Sequence, residues 1–284
     1  MKLGMNMLLW SDDVTDERFQ PAFEMLADAG YDGVEVPIFA PHPDRYGRLG
    51  ERLEELGLER LACTARGEAD SPISADDSVR AAGVATNKAV LDSAAALGAT
   101  LLCGPLEGPI GFFSGAGPTP DEWARGVESL REVAEHAGEL GITLAIEYLN
   151  RFELYLLNTA EDTARFVREV GHPSCRMMYD TFHAHIEEKD VRAAIRGCAD
   201  VLAYVHLSEN DRSTPGRGQV DWDATFDALR EIGYDGWLTI EAFGDSLPAL
   251  TAATKIWRRM FESEEQLARE GAAFVRDRLA ALSP

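Results

Sequence analysis

A (β/α)8 barrel is the fold class that this sequence predicts, on three observations. Short apolar runs alternate with longer amphipathic ones along all 284 residues, the pattern of repeated strand–helix units around a parallel sheet. Eight such units can be counted, and about 250 residues is the usual size of a single barrel. Finally, Glu147, Asp180, His206 and Glu241 each end an apolar run, at intervals of 33, 26 and 35 residues. That spacing is about one strand plus one helix per side chain, so consecutive parallel strands aim polar groups at one end of the barrel, where such folds build their active sites.

The strands are expected at Lys2 to Leu9, Gly33 to Pro37, Glu59 to Thr64, Thr100 to Cys103, Thr143 to Glu147, Arg176 to Tyr179, Leu202 to His206 and Trp237 to Glu241. Each is rich in aliphatic, β-branched or aromatic residues and too short for a helix, as expected of strands buried on both faces. Helices are expected near 16–29, 44–56, 76–97, 119–140, 159–170, 190–199 and 221–232, with a C-terminal helical region from about 248 to 281. Two starts carry explicit chemistry. Thr119-Pro120-Asp121-Glu122 sets a Thr cap, a Pro at the first helical position and a Glu three residues after the cap, which is a capping box. Asp221 is placed to cap the helix that begins at Trp222. Gly30, Gly57, Gly141, Gly171 and Gly233 fall where helices should stop. Residues 1–284 therefore read as one barrel domain with a C-terminal helical extension.

Composition narrows the function classes. Forty-five percent of the residues are hydrophobic, enough for one large core, and the formal net charge is −22. A nucleic-acid partner is not expected, because phosphate recognition needs a basic footprint. The apolar N-terminal stretch is short and runs into Ser11-Asp12-Asp13, so it reads as the first strand, and no 18-residue apolar run predicts a membrane span. Cys63, Cys103, Cys175 and Cys198 occur singly, without CxxC spacing, and read as reduced core residues of a cytoplasmic protein. The loops 104–118 and 208–219 are rich in Gly, Pro, Ser and Asp and follow strands. Both are expected over the barrel mouth, the first as a lid or a subunit contact.

Three carboxylates and one imidazole make an oxygen and nitrogen donor set that suits Mn²⁺, Co²⁺ or Mg²⁺ better than a thiolate-seeking metal. Three anionic groups converging within a few Å repel one another unless a cation lies between them. One divalent metal is therefore expected, held by Glu147, Asp180, His206 and Glu241.

The residues around these ligands carry a family resemblance. Glu147-Tyr-Leu-Asn-Arg-Phe-Glu153, Asp180-Thr-Phe-His183 with Ile186-Glu-Glu188, His206-Leu-Ser-Glu-Asn-Asp-Arg212 and Gly233-Tyr-Asp-Gly236 leading to Glu241-Ala-Phe243 resemble, in order, the motifs of the ketose 3-epimerases. That family includes the D-tagatose, D-psicose (allulose) and L-ribulose 3-epimerases within the xylose isomerase-like TIM barrels. The resemblance is strong over residues 140–245 and weaker in the first half, where it rests on Trp10-Ser11, Asp32-Gly-Val-Glu35 and Ser78-Val-Arg-Ala-Ala-Gly83. It implies that the four ligands hold Mn²⁺ or Co²⁺, and that Glu147 and Glu241 are also the catalytic pair. It further implies that Glu153, His183 and Arg212 bind the O1 and O2 end of a sugar, and that Trp10 and Phe243 wall its pocket.

Inverting C3 of a ketose needs a proton removed beside the C2 carbonyl and one returned to the opposite face, which two carboxylates can do by alternating as base and acid. Other assignments stay open for the accessory residues. Arg212 could pair with Asp211 or Glu209, His183 could cap a helix or pair with Glu187, and Glu153 could orient Arg151. Glu35 faces the same mouth but matches no ligand of the family and stays outside the site. The segments after strands one, three and four depart most from the family, and no Gly-rich phosphate cradle is present, which favours an unphosphorylated sugar.

The competing readings are an aldose–ketose isomerase or a keto-inositol or 3-keto-sugar dehydratase of the same superfamily. An AP-site endonuclease is disfavoured by the charge and by only six His, and a non-catalytic sugar-binding protein is the remaining class. Apolar residues in the 112–113 loop and the C-terminal region suggest a homodimer or homotetramer.

Overall fold

The computed structural model describes residues 1–245 and 247–282. Eight parallel strands close into a barrel in sequence order, with β8 pairing back to β1. They are β1 (Lys2–Asn6), β2 (Gly33–Pro37), β3 (Glu59–Cys63), β4 (Leu101–Gly104), β5 (Thr143–Ile146), β6 (Cys175–Asp180), β7 (Leu202–Leu207) and β8 (Trp237–Ile240). Among the described residues ten helices surround them: α1 (Gln20–Asp28), α2 (Pro43–Glu55), α3 (Asp77–Leu97), α4 (Pro120–Glu139), α5 (Ala160–Val170), α6 (Thr181–Glu187), α7 (Val191–Gly197), α8 (Trp222–Glu231), α9 (Pro248–Thr254) and α10 (Glu264–Leu282).

Every predicted strand is present, with ends moved by a residue or two except at the first. There the chain leaves the sheet after Asn6 and winds Met7–Leu9 into a 3-10 turn. The Asn6 side chain accepts the Leu8 N–H at 2.7 Å, so a local side-chain bond replaces the ladder. The predicted capping box forms, with Glu122 N donating to Thr119 Oγ1 at 3.2 Å and Thr119 N to Glu122 Oε2 at 2.7 Å. Asp221 caps Ala224 N at 3.0 Å. Gly171, among the expected helix stops, has φ 70°, the left-handed cap of α5. The expected C-terminal helical region consists of two helices, α9 and α10. α10 packs against α8, α1 and β1, which is the place of the barrel's own eighth helix. Its Leu267, Ala268, Ala272 and Val275 are buried and so are not free for a subunit contact.

Alternation along the strands divides the core. Val34, Val36, Leu144, Ile146, Val205 and Ile240 face outward into the layer shared with the helices. Leu61, Cys63, Cys103, Ala145, Met178, Tyr204 and Trp237 fill the inside of the barrel. The four cysteines are buried and unpaired. Among the described residues no helix is long and apolar enough to cross a membrane.

Candidate active site

The four expected ligands occupy the next inward position above residues that fill the barrel: Glu147 above Ala145, Asp180 above Met178, His206 above Tyr204, and Glu241 two steps beyond Thr239. An irregularity makes this phase possible. Met177 pairs with Leu202 but Met178 pairs with Tyr204, so β7 carries one extra residue, Ala203, and Asp180 comes level with His206. Without that bulge a two-residue period would turn His206 outward. One donor atom from each of Glu147, Asp180, His206 and Glu241 lies within 4.8 Å of the others, and none of the four is more than 6% exposed.

Asp180 divides its oxygens. Oδ1 accepts Phe182 N at 2.6 Å and His183 N at 3.4 Å as the N-cap of α6, while Oδ2 faces the cluster, 3.6 Å from His206 Nδ1. Burial alone would raise the Asp180 carboxyl, but Arg212 and His183 hold it well below the usual range. Burial and repulsion from Glu241 push Glu147 well above the usual range. Burial raises Glu241 to about 7 against the pull of Arg212 and His206. His206 is pulled both ways: burial disfavours its charge, yet Glu35 and Glu241 raise it well above the ordinary imidazole value.

Arg212 enters this cluster rather than its own loop. Nη1 lies 3.3 Å from Asp180 Oδ2 and contacts Glu241 Oε2. The guanidinium lies 3.7 Å from the Phe182 ring centre and 4.9 Å from that of Phe243. Asp211 is occupied by Ser213, and Glu209 by Gly216 N, Val220 N and Trp222 Nε1, so neither is the partner of Arg212. Buried Glu209 thereby ties down the loop on which Arg212 sits in a left-handed conformation, φ 64°.

His183 Nδ1 accepts the Asn150 N–H at 2.9 Å. Burial and Arg212 lower its pKa to about 4, and its Nε2 lies 3.0 Å from Arg212 Nη2, which can only donate, and 3.7 Å from Glu147 Oε1. Glu153 receives Asn150 Nδ2 at 2.8 Å, whereas Arg151 and Glu187 pair with each other at 2.7 Å.

These groups open onto a pocket that is continuous with solvent and lined by Glu147, Glu153, His183, His206, Arg212 and Glu241. Its outer walls include Leu8, Phe39, Ile110, Phe243 and Leu250. Ile110 belongs to the 104–118 loop, while Phe112 and Phe113 farther along it are exposed. Phe243 thus reaches the cavity as expected, and Trp10 does not. The 3-10 turn at Met7–Leu9 presents Leu8 to the mouth, and Trp10 packs on the layer outside the barrel.

The donor set fits a cation. Among the described residues His206 Nδ1 is buried without a hydrogen-bond partner, and it lies 3.5 Å from Glu241 Oε1 and 3.6 Å from Asp180 Oδ2. A histidine nitrogen that finds no hydrogen-bond partner among three carboxylates is one that a divalent metal satisfies by displacing its proton.

Residues 23–278 match the family model described as xylose isomerase-like TIM barrel. The chain is 33% identical to a ketose 3-epimerase of Arthrobacter globiformis, over 99% of this chain and 98% of the relative. The chain belongs to the ketose 3-epimerase family. It is also 34% identical to an L-ribulose 3-epimerase of Mesorhizobium japonicum, over 96% of this chain and 93% of that one. A solved L-ribulose 3-epimerase superposes with TM-score 0.94 at 34% identity, covering 99% of this chain and 95% of the other. A D-psicose 3-epimerase solved in the presence of D-fructose gives TM-score 0.91 at 29% identity, with both chains fully covered.

In this ketose 3-epimerase family member, sequence reasoning misses several residues that shape the cluster. Glu35 is fully buried and receives Asn6, Cys103, Tyr204 and His206. Its signal was a carboxylate between Val34 and Val36 in a strand otherwise apolar on both faces. Asn6 and Phe182 gave no comparable signal, since an amide at a strand end and a lone aromatic are common in loops.

Proposed function

We propose that this chain is a metal-dependent ketose 3-epimerase that inverts C3 of an unphosphorylated keto-sugar, with Glu147 and Glu241 as the acid–base pair. The observation that carries this reading is the convergence of two carboxylates from the ends of β5 and β8 on one buried point of a solvent-connected pocket. Relatives covering nearly the whole chain are named for 3-epimerisation of ketoses.

Glu147, Asp180, His206 and Glu241 hold Mn²⁺ or Co²⁺, with Mg²⁺ also compatible, and the bound ion supplies positive charge where charge develops on the sugar oxygens. One glutamate takes the C3 proton, leaving an enediolate across C2 and C3. The protonated partner returns a proton to the opposite face. Each turnover leaves the proton exchanged between the two carboxyls, so the reverse reaction uses the same pair in swapped roles. His183 presents its Nε2 at the carbonyl end, Arg212 adds a fixed positive charge beside it, and Glu153 accepts from a hydroxyl. Phe243 lines the pocket and backs Arg212. The apolar outer walls of Leu8, Phe39 and Leu250 offer nothing to a phosphate, in keeping with an unphosphorylated substrate.

The four unpaired cysteines suit the reducing cytoplasm. Exposed Phe112, Phe113 and Phe152 suit a homodimer or homotetramer. The test is a panel of L-ribulose, D-psicose, D-tagatose and D-fructose with metal-stripped enzyme reconstituted with Mn²⁺, Co²⁺ or Mg²⁺. C3 epimers are expected. An aldose would make the enzyme an isomerase, loss of water a dehydratase, and binding without turnover a sugar-binding protein.

A further inference from the structure

We propose that Glu35 is a positioning residue for the metal centre, fixing the tautomer of His206 directly and restraining Glu241 through Asn6. The inference rests on reading the four-ligand cluster as a metal site. Glu35 lies on β2, outside that cluster, and is fully buried. Its Oε1 accepts Asn6 Nδ2 at 2.6 Å, and its Oε2 accepts Cys103 Sγ at 3.1 Å, Tyr204 Oη, and His206 Nε2 at 2.9 Å.

A carboxylate with these neighbours is an acceptor only, so the imidazole must donate, and the Nε2 proton is thereby assigned. Once the ring gives up its other proton to a metal, the lone pair is left on Nδ1, the atom that faces Asp180 and Glu241. A carboxylate hydrogen-bonded behind a ligand histidine sets ring orientation and raises the basicity of the ligating nitrogen.

Asn6 extends the hold to a second ligand. Its Oδ1 takes the Leu8 N–H at 2.7 Å, which fixes which way the amide points. Nδ2 then has two hydrogens to give, and they go to Glu35 Oε1 at 2.6 Å and Glu241 Oε1 at 3.1 Å. Cross-strand pairing sets this up, since Asn6 on β1 lies level with Glu35 on β2. Filling space does not account for Glu35. The neighbouring interior positions are taken by Leu61, Cys63, Cys103 and Met178, and burying a carboxylate is far costlier than burying such side chains unless its charge serves a partner.

The test is Glu35→Gln, which keeps the shape but puts an NH₂ where one acceptor stood. Mn²⁺ affinity is measured by titration calorimetry, and thermal stability is measured separately on the metal-free protein. The dissociation constant is expected to rise roughly 10- to 100-fold. A rise below tenfold overturns the proposal, including the case in which only metal-free stability falls, which would mark Glu35 as structural. If the variant does not fold, the ¹⁵N imidazole spectrum of the wild-type Mg²⁺-loaded enzyme decides, with His206→Asn to assign the signal. A proton on Nε2 of His206 is expected, and a proton on Nδ1 or a bare Nε2 overturns the proposal. If the wild type itself binds no divalent metal, the metal reading of the cluster fails first, and that failure is separate from anything Glu35 does.

Discussion

Replacing Glu107 by Gln is expected to stabilise the protein by an amount that grows with pH. Glu107 follows β4 and is fully buried, and among the described residues neither carboxyl oxygen has a hydrogen-bond partner. Burial pushes its pKa from the ordinary 4.5 up to about 8. The unfolded chain releases this proton near pH 4.5, while the folded chain keeps it until about pH 8. Between those values the folded state binds the extra proton, so stability falls as pH rises through the window and the penalty is complete above it.

At about 1.4 kcal/mol per pH unit, the full cost is about 5 kcal/mol, less whatever local relaxation recovers. Gln matches the shape of the neutral acid and cannot ionise, so its own desolvation cost does not vary with pH. Melting temperatures of metal-free wild type and Glu107→Gln should therefore differ little in pH dependence below pH 5 and diverge toward pH 8.5. At about 2–4 °C per kcal/mol, the gap should widen by roughly 10 °C. A gap constant to within about 1 °C between pH 5 and pH 8.5, well inside that sensitivity, would refute the reasoning.

Glu147→Gln and Glu241→Gln should each lower kcat by roughly 10²–10⁴-fold or more, the usual worth of an acid–base group, in initial-rate assays on metal-saturated enzyme. Arg212→Lys keeps the charge but loses the flat group between Phe182 and Phe243. It should cost about 10–100-fold in kcat/KM; a change below threefold would detach Arg212 from the chemistry. Gly104→Ala should destabilise by about 2 kcal/mol or more. Gly104 has φ 123°, and a Cβ there would sit 2.0 Å from the Thr64 carbonyl oxygen, so a denaturant midpoint unchanged from wild type would contradict the backbone described. Divalent metal should bind more tightly as pH rises through neutrality, because the raised Glu147 and Glu241 carboxyls must release protons to ligate. Calorimetry in two buffers of different ionisation heat should detect that release at pH 6.5.

The barrel and its four convergent candidate ligands were legible because each of these side chains breaks an apolar run at the same end of a strand, a signal that local composition carries. What composition could not carry was phase. The extra residue Ala203 in β7 turns His206 inward, and only the paired strand β6 reveals it. Helix α6 was missed for a related reason. Its cap is Asp180, whose reading as a ligand hid its second use. Arg212 lies one residue from Asp211 and three from Glu209, yet it pairs across the barrel mouth with Asp180 and Glu241. That contact depends on a left-handed backbone at an ordinary residue, which sequence does not announce. Trp10 went astray because the expected strand ends early in a 3-10 turn. Glu35 was visible as an anomaly, but its four donors come from β1, β4 and β7, so its use could not be inferred from its neighbours in sequence.

The most direct test of the central claim, that Glu147 and Glu241 exchange a proton at C3, is turnover of L-ribulose by the Mn²⁺-loaded enzyme in D₂O, followed by NMR. The account predicts a C3-epimeric ketose carrying deuterium at C3 and none at C1. Deuterium at C1 together with an aldose product would contradict it.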